Sequence, residues 1–395
     1  MTKEQLLFLK SLTNTIEENI SEYDTDAILK MAVHQSVLPL VFEHLSNAPD
    51  FDCEKYAKYQ KRAIGNVMAQ AARSMHFKKI YKCLTDAEIK PVVIKGIILR
   101  NLYGEECNHR PSGDEDVIIR REDFRKTHEV LTENGFLSDM NNITERILDE
   151  IQEITYYNES CKLKLEVHLN PLGKENKLTR LLSETFDSYY ENIIKVNVDG
   201  CEFFTLDYTE GFIYLFFHFV RHIAKGVGIR QMLDMYKFLD AYSAFIDMER
   251  IKKTIEGVKF EKLYADLIDI GNRYFGYSFD TCFETVNSER LLESAFTMGT
   301  FGNDTKELAG SEVIIYSAMR NGEKANALSM LFPPLSEMKN GFKILYKHPY
   351  LLPFVWLWRI IRYTYRILTG KKSKLSESER IADDRIALLR DYDII

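Results

Sequence analysis

The chain has 395 residues, of which 45% are hydrophobic and 12% are aromatic, so it is long enough for two or three domains with buried cores. Its 59 acidic residues outnumber its 52 basic ones, and the net charge of −7 argues against a protein that coats duplex DNA. The aromatic content, with only 19 Gly and 9 Pro, excludes a disordered or collagen-like chain.

The six cysteines are scattered singly without a CxxC pair, which is typical of proteins kept in a reducing compartment. The N-terminus lacks the basic and then apolar pattern of a secretory signal. The longest uncharged apolar run of the C-terminal part, residues 349–358, is too short to cross a bilayer. We therefore expect a cytoplasmic, soluble protein.

Residues 1–88 have the pattern of a helical region. Apolar residues recur there at helical spacing, and residues 56–84 contain no Pro and one Gly, which predicts one long helix or two stacked ones. The pattern then changes, because residues 91–94 form a β-branched run that ends at Lys95-Gly96 and predicts a strand.

Residues 89–175 have the pattern of a small α/β domain. Strands are predicted at residues 117–119 and 163–169 and from residue 156, because these runs are β-branched, aromatic or strictly alternating. Between them, residues 122–134 predict a helix that ends at Gly135. The alternation of short strands and helices predicts a small mixed sheet.

Helical patterns return after residue 206, and we expect residues 176–330 to form a helical domain and residues 331–395 a basic, aromatic tail. The predicted helices of this domain cover residues 210–225, 230–244, 248–257, 260–275 and 289–298. The whole chain is therefore expected to have an α+β fold, with a small mixed-sheet core between helical regions.

The residues that point most directly to chemistry are Asp114, Asp116 and Glu166. Asp114 and Asp116 are two apart at the start of a strand, so their side chains share one face. Neighbouring carboxylates repel one another unless cations occupy the site, and Mg²⁺ bridges carboxylates to phosphates. An acidic pair alone is a weak signal, since chance gives about nine in this composition, most of them on a solvated surface.

A larger motif surrounds these acids. It consists of Lys95-Gly96, Tyr103, Arg110, Asp114, Asp116, residues 117–119, Gly135-Phe136 and Glu166-Val167-His168. Together these residues resemble the bacterial nucleotidyltransferase family of the DNA polymerase beta superfamily, whose members often sit near surface-polysaccharide genes. Weaker similarity in residues 31–45, 216–239, 331–334 and 348–359 extends the resemblance over most of the chain.

The resemblance implies transfer of a nucleoside monophosphate from an NTP to a hydroxyl or phosphate acceptor, with release of pyrophosphate. The residues that it assigns to catalysis and to two Mg²⁺ ions are Asp114, Asp116 and Glu166. Those that it assigns to nucleotide contacts are Lys95, Gly96, Arg110 and His168. The two cations would neutralise triphosphate charge, and the glycine turn would let backbone N–H groups approach the phosphates.

Two positions depart from the family pattern. Ile97 stands where the superfamily has a serine after the glycine, so no hydroxyl is available there for the triphosphate. Glu115, between the two aspartates, places a charge where an apolar core residue is expected. These departures keep open a catalytically silent module that binds nucleotide.

The acceptor is open from the sequence, and a sugar phosphate, a lipid-linked sugar, a protein or an RNA all fit. A toxin-like enzyme that modifies tRNA or protein is a further alternative, whereas binding to duplex DNA is not expected because of the acidic balance.

Four further residues lie on predicted helices beyond the core. His218 and His222 are one turn apart, which is metal-ligand spacing, but their helix is strongly apolar and no third ligand is evident. Arg230 and Asp234 have the spacing of a surface ion pair, and the resemblance keeps a functional role for them open as the alternative.

Residues 338–376 contain no acidic residue, nine basic ones and both tryptophans, Trp356 and Trp358. Arg359, Arg362 and Arg366 fall on one face of the predicted helix, beside an aromatic and aliphatic face. Such a helix suits peripheral contact with an anionic membrane. The alternative is a helix that packs its apolar side on the body and leaves its arginines in water.

Overall fold

The structure is a computed structural model that describes residues 1–140, 143–174, 177–187, 189–223, 226–298, 315, 318, 332–368 and 375–395. Within these ranges, none of the helices combines the length and the apolar character that crossing a bilayer requires.

Helices account for most of the described chain. The α-helices are α1 Lys3–Lys10, α2 Thr25–His34, α3 Leu38–Leu45, α4 Ala57–Asp86, α5 Ile97–Asn101, α6 Phe124–Glu133, α7 Glu145–Glu150, α8 Lys177–Thr185, α9 Tyr208–His222, α10 Ile229–Tyr242, α11 Met248–Val258, α12 Glu261–Tyr274, α13 Ser288–Met298, α14 Leu335–Gly341, α15 Ile344–Lys347, α16 Leu352–Leu368 and α17 Leu375–Asp391. Short 3₁₀ helices cover Gly104–His109, Arg121–Asp123, Tyr189–Glu191 and Pro349–Leu351.

Seven strands of the described residues form one mixed sheet. They are β1 Val92–Val93, β2 Glu115–Ile118, β3 Leu137–Ser138, β4 Glu153–Asn158, β5 Leu163–His168, β6 Ile193–Val198 and β7 Cys201–Leu206, in the order β3-β4-β5-β2-β1-β7-β6. The β2–β5 and β1–β7 pairs are parallel, and the remaining neighbours are antiparallel. The predicted α+β class, with a mixed sheet flanked by helices, is confirmed.

Alternation along the central strands divides the core between the two faces of the sheet. Val93, Val117 and Val167 pack on one face together with residues of α4 and α6. Val92 and Ile118 point the other way, into the larger core that the N-terminal helices and α9–α13 build. Because side chains on a strand alternate in direction, the side chain of Asp116 emerges on the α9 side and that of Glu115 on the α4 side.

Most predicted elements are present within a few residues of their expected bounds. The segment 56–84 forms a single helix, α4, rather than two stacked ones. The strand expected from residue 156 starts earlier, at Glu153, because it pairs along its length with β5.

A hairpin at residues 193–206 corrects the expectation that residues 176–330 are helical. Strands β6 and β7 join there, and β7 pairs in parallel with β1, so this segment belongs to the sheet. Asp199 and Gly200 have φ values of 46° and 77° at the turn. Asp-Gly is a favoured dipeptide for a two-residue hairpin turn, so the sequence did contain a signal for these strands.

A buried ion pair lies beneath the strand that carries the two aspartates. Arg100 of α5 donates to Glu115 Oε1 and, at 2.5 Å, to the hydroxyl of Ser112. The side chains of Arg100 and Glu115 are each only 2% exposed. The charge at the position between the aspartates is therefore accommodated by a matching charge from α5.

Replacing one partner of this pair should be strongly destabilising. Arg100→Met leaves the Glu115 carboxylate buried without its cation, and we expect a loss of about 3–5 kcal/mol in the free energy of unfolding. The double variant Arg100→Met, Glu115→Gln removes the unpaired charge and should recover part of that loss. Urea unfolding measures both, and a double variant no more stable than Arg100→Met would contradict the electrostatic explanation.

Candidate functional site

The main cleft lies between the face of the sheet that carries Asp116 and the helices α9 and α10. Its cavity has a volume of about 390 Å³. The polar residues that line it are Lys95, Arg110, Ser112, Asp114, Asp116, Glu153, Glu166, His168, His218, Arg221, His222, Arg230, Gln231 and Asp234. Every residue that the sequence singled out for chemistry is therefore at this cleft, together with Gly96 on its rim.

The parallel pairing of β2 with β5 brings the acids together. Its register places Asp116 opposite Glu166 and Ile118 opposite His168. Since residues two apart share a face, Asp114, Asp116, Glu166 and His168 all project from the same side of the sheet. Residues that are 50 positions apart in the chain thus become one acidic cluster.

Two lysine ammonium groups lie among these carboxylates. Lys95 Nζ is 3.0 Å from Asp116 Oδ1. Lys164 Nζ contacts both Glu166 Oε1 and, at 3.4 Å, Asp114 Oδ2. The carboxylate patch is therefore partly neutralised by cations that belong to the chain itself.

The pKa values of the two aspartates are shifted in opposite directions. Burial, together with the charges of Asp116 and Glu166, raises the pKa of Asp114 to about 6. Burial alone would also raise the pKa of Asp116, but Lys95 and the hydrogen bond from His168 hold that pKa well below its usual range. Asp116 thus stays ionised, whereas Asp114 is the acid of the cluster that is protonated more readily than a free aspartate.

His168 is held between two carboxylates. Its Nε2 is 3.0 Å from Asp116 Oδ1, and its Nδ1 is 3.5 Å from Glu153 Oε2 of the neighbouring strand β4. Burial lowers its pKa, but the Asp116 hydrogen bond and the Glu153 charge outweigh this and raise it. The arrangement fixes the orientation of the imidazole toward the acidic cluster.

The donor atoms of this cluster suit a divalent cation. In the described part of the chain, one group of three donors is compact enough to share an ion, with atoms of Asp116, Glu166 and His168 within 4.8 Å of one another. Asp114 adds a further carboxylate on the same face. Carboxylate oxygens are the preferred ligands of Mg²⁺ and Mn²⁺.

A second charged group forms the wall toward α10. Arg110 donates from Nε and Nη2 to the two carboxylate oxygens of Asp234, both at 2.6 Å, and the hydroxyl of Tyr103 donates to Asp234 at 2.8 Å. Arg230 donates from Nη1 to the carbonyl of Pro111 at 2.6 Å. Arg230 and Asp234 are buried in the cleft wall, so they are not the surface pair that their spacing allows.

These arginines place two guanidinium groups in the wall of the cleft. Burial and the nearby charge of Arg110 lower the pKa of Arg230 to about 10, which still leaves it charged at neutral pH. The remaining nitrogen of Arg110, Nη1, is buried and has no hydrogen-bond partner among the described residues. An anion at this end of the cleft would stabilise both groups.

The turn at Gly96 has a role that the sequence did not indicate. Gly96 has a φ of +54°, and a Cβ there would lie 2.0 Å from Glu115 Oε2. That same oxygen accepts the backbone N–H of Ile97 at 2.9 Å. The glycine therefore makes room for a buried carboxylate, and the amide expected to face phosphate is already bonded to it.

In the histidine pair on α9, His218 contacts Lys95 of the cleft. Burial and the charge of Lys95 lower the pKa of His218 well below its usual value, so its neutral Nε2 accepts from Lys95 Nζ at 3.1 Å. The ring of His222 lies 4.4 Å from that of His218. With Nε2 engaged by an ammonium group, His218 serves to position Lys95.

The sequence analysis did not predict Lys164 and Glu153, which contact the acidic cluster. Lys164 stands two positions before Glu166 on the alternating strand, so the same-face rule could have placed it there. Glu153 offered no such signal, because only the antiparallel pairing of β4 with β5 sets it opposite His168.

One of the comparisons with known proteins found a match, which is a protein family. A family model described as an uncharacterised nucleotidyltransferase matches residues 21–276, about two thirds of the chain. The matched segment spans α2 to α12 and includes all the strands and cleft residues described above. No match was found among curated proteins or among solved structures.

The raised pKa of Asp114 makes cation binding dependent on pH. A carboxylate with a pKa of about 6 is mostly protonated at pH 5, so affinity for Mn²⁺ should fall about tenfold between pH 7 and pH 5. The electron paramagnetic resonance signal of free Mn²⁺ measures this binding without any substrate. Asp114→Asn should bind more weakly at pH 7 and lose this step, whereas Glu122→Gln, at an exposed acid, should keep it.

Proposed function

Because the chain belongs to the uncharacterised nucleotidyltransferase family, we propose that it transfers a nucleoside monophosphate from an NTP to a hydroxyl or phosphate acceptor and releases pyrophosphate. The observation that carries the proposal is the placement of Asp114, Asp116 and Glu166 on one face of the sheet, opposite buried arginines. Such a cleft offers one end to cations and the other to phosphate oxygens.

The acidic end fits two Mg²⁺ ions, which Asp114, Asp116 and Glu166 would hold. Bound there, they would supply Lewis-acid stabilisation of the transferring phosphoryl group and its pyrophosphate leaving group. The fit rests on the donor set, three carboxylates on one face of the sheet, and on the raised pKa of Asp114, to which burial and the charges of Asp116 and Glu166 contribute.

The chain's own residues prepare this end of the cleft. Lys95 and His168 both contact Asp116 Oδ1, so that carboxylate has a fixed orientation before any ligand arrives. Glu166 is less constrained, since the side chain of its partner Lys164 is 38% exposed, whereas that of Lys95 is 19% exposed. We assign Glu166 to the acceptor hydroxyl, where a carboxylate helps to remove the proton.

The basic end is assigned to the triphosphate. Arg110 is already oriented by Asp234, and its buried Nη1 has a donor to offer. Arg230 lines the same wall. Charge-assisted hydrogen bonds from arginine to phosphate are strong and directional. The backbone amide of Ile97 is bonded to Glu115. The side chains of Arg110 and Arg230 would therefore bind the phosphates in its place.

A silent nucleotide-binding module is the second candidate, and one observation favours it. The N–H of Ile97 is bonded to Glu115, so a phosphate contact expected of active superfamily members is absent from this loop. Incubation with each labelled NTP and Mg²⁺, against pools of sugar phosphates, lipids, RNA and cell protein, separates the candidates. Pyrophosphate release with a labelled acceptor supports transfer, and NTP binding without turnover supports the silent module.

Asp116→Asn should abolish transfer while the fold is kept. The amide has the same shape as the carboxylate but carries no charge, so activity should fall by about three orders of magnitude or more. Pyrophosphate release measures the rate, and circular dichroism verifies the fold. The exposed Glu122→Gln serves as the matched control and should retain full activity; an active Asp116→Asn enzyme would contradict the proposed site.

Arg230→Gln should affect NTP binding more than metal binding. The loss of a buried charge at the basic end should weaken NTP affinity by about tenfold or more, since a charge-assisted hydrogen bond contributes roughly 1.5–3 kcal/mol. Fluorescent NTP titration measures the affinity, and Mn²⁺ titration without nucleotide should give the wild-type value. Equal NTP affinity in both proteins would remove Arg230 from the phosphate site.

A further inference from the structure

Helix α16 exposes its apolar side to solvent. We call this side the outer face of α16; it includes Tyr350 in the preceding turn, Phe354, Leu357, Trp358, Ile361 and Tyr365. Each of these side chains is about half exposed or more, with Phe354 at 68% and Ile361 at 60%. Their spacing of three or four residues places them in one continuous stripe along the helix.

The opposite side of the helix packs against the preceding segment, residues 333–345. Val355 is buried in a small separate core with Met338 and Leu345. Trp356 donates from Nε1 to the carbonyl of Pro333 at 2.9 Å, and Arg359 contacts the Sδ of Met338 at 3.4 Å. An ordinary surface helix turns its apolar stripe inward, so α16 has the reverse arrangement.

The charged residues of the segment that contains α16 have one sign. Residues 338–376 contain nine basic residues and no acidic one, although Lys371, Lys372 and Lys374 among them lie outside the described residues. Arg362 is exposed and lies over the Trp358 ring at 5.0 Å. An apolar stripe with aromatic rings and flanking cations matches the interface of an anionic bilayer, where the stripe enters the acyl boundary and the cations meet lipid headgroups.

We propose that the outer face of α16 docks this protein peripherally on an anionic lipid surface. A second copy of the chain is a poorer occupant, because a symmetric contact would bring the Arg362 side chains and their basic neighbours together. The sequence left open whether the arginines or the apolar residues of this helix face the solvent. The structure favours docking, because the apolar residues of the outer face are exposed rather than packed inward.

The two tryptophans provide a direct probe of this face, since the chain contains no others. Binding to two kinds of vesicle should be compared by flotation and by tryptophan emission. One kind contains phosphatidylcholine alone, and the other contains equal parts of phosphatidylcholine and phosphatidylglycerol. We expect binding and a blue shift of the emission with the anionic vesicles only. Brominated lipids should quench Trp358, which is exposed, and the Trp358→Phe variant should lose most of that quenching while Trp356 remains.

A matched pair of double variants tests the stripe itself. Phe354→Ser with Ile361→Ser removes two exposed apolar side chains of the outer face and should weaken vesicle binding by about tenfold or more. Ile64→Ser with Met68→Ser removes two comparably exposed apolar side chains from α4 and should leave vesicle binding unchanged. Because all four residues are exposed, both proteins should fold normally.

Three results would overturn the proposal. Absence of binding to either vesicle excludes a lipid surface, and equal binding to both excludes the role of the cations. Self-association in analytical ultracentrifugation that disappears in the Phe354→Ser, Ile361→Ser variant, without vesicle binding, would instead identify the outer face as a contact between copies. Docking and transfer can fail separately, since flotation of the Asp116→Asn variant should equal that of the wild type.

Discussion

The parallel register between β2 and β5 is the constraint on which the rest of the site depends. It sets Asp116 opposite Glu166 and brings Asp114 and His168 to the same face, so negative charge is concentrated on that face of the sheet. The fold responds with cations of its own, since the ammonium groups of Lys95 and Lys164 lie among the carboxylates. Burial and the neighbouring charges of Asp116 and Glu166 nevertheless raise the pKa of Asp114 to about 6.

The same strand carries a second charge on its other face. Glu115 points toward α4, where Arg100 neutralises it and the amide of Ile97 donates to it. This internal carboxylate explains the glycine at position 96, because any side chain there would collide with it. It also changes how the cleft can hold phosphate: the amide of the turn is engaged, and the free donor capacity lies with Arg110 on the opposite wall.

The two proposed functions, nucleotidyl transfer and lipid docking, are therefore assigned to different segments of the chain. The nucleotidyltransferase match covers α2 to α12, and the cleft lies wholly within it. Helix α16, with its outward apolar stripe, lies beyond the matched segment and packs on a small core of its own. An acidic body repels an anionic surface, so a basic segment at one end would select which side of the molecule approaches a lipid headgroup.

The sequence by itself determined most of the elements and the identity of the acidic residues. Period-two alternation marked β5, an unbroken helical pattern marked α4, and the spacing of Asp114 and Asp116 placed them on one face, because these are properties of neighbouring residues. Tertiary structure decided what no local pattern contains. It brought Glu153 to His168, paired Arg110 with Asp234 across 124 residues, assigned Arg100 to Glu115, and turned the apolar side of α16 outward. Each of these depends on which segments pack together, and a buried charge finds its partner in space rather than along the chain.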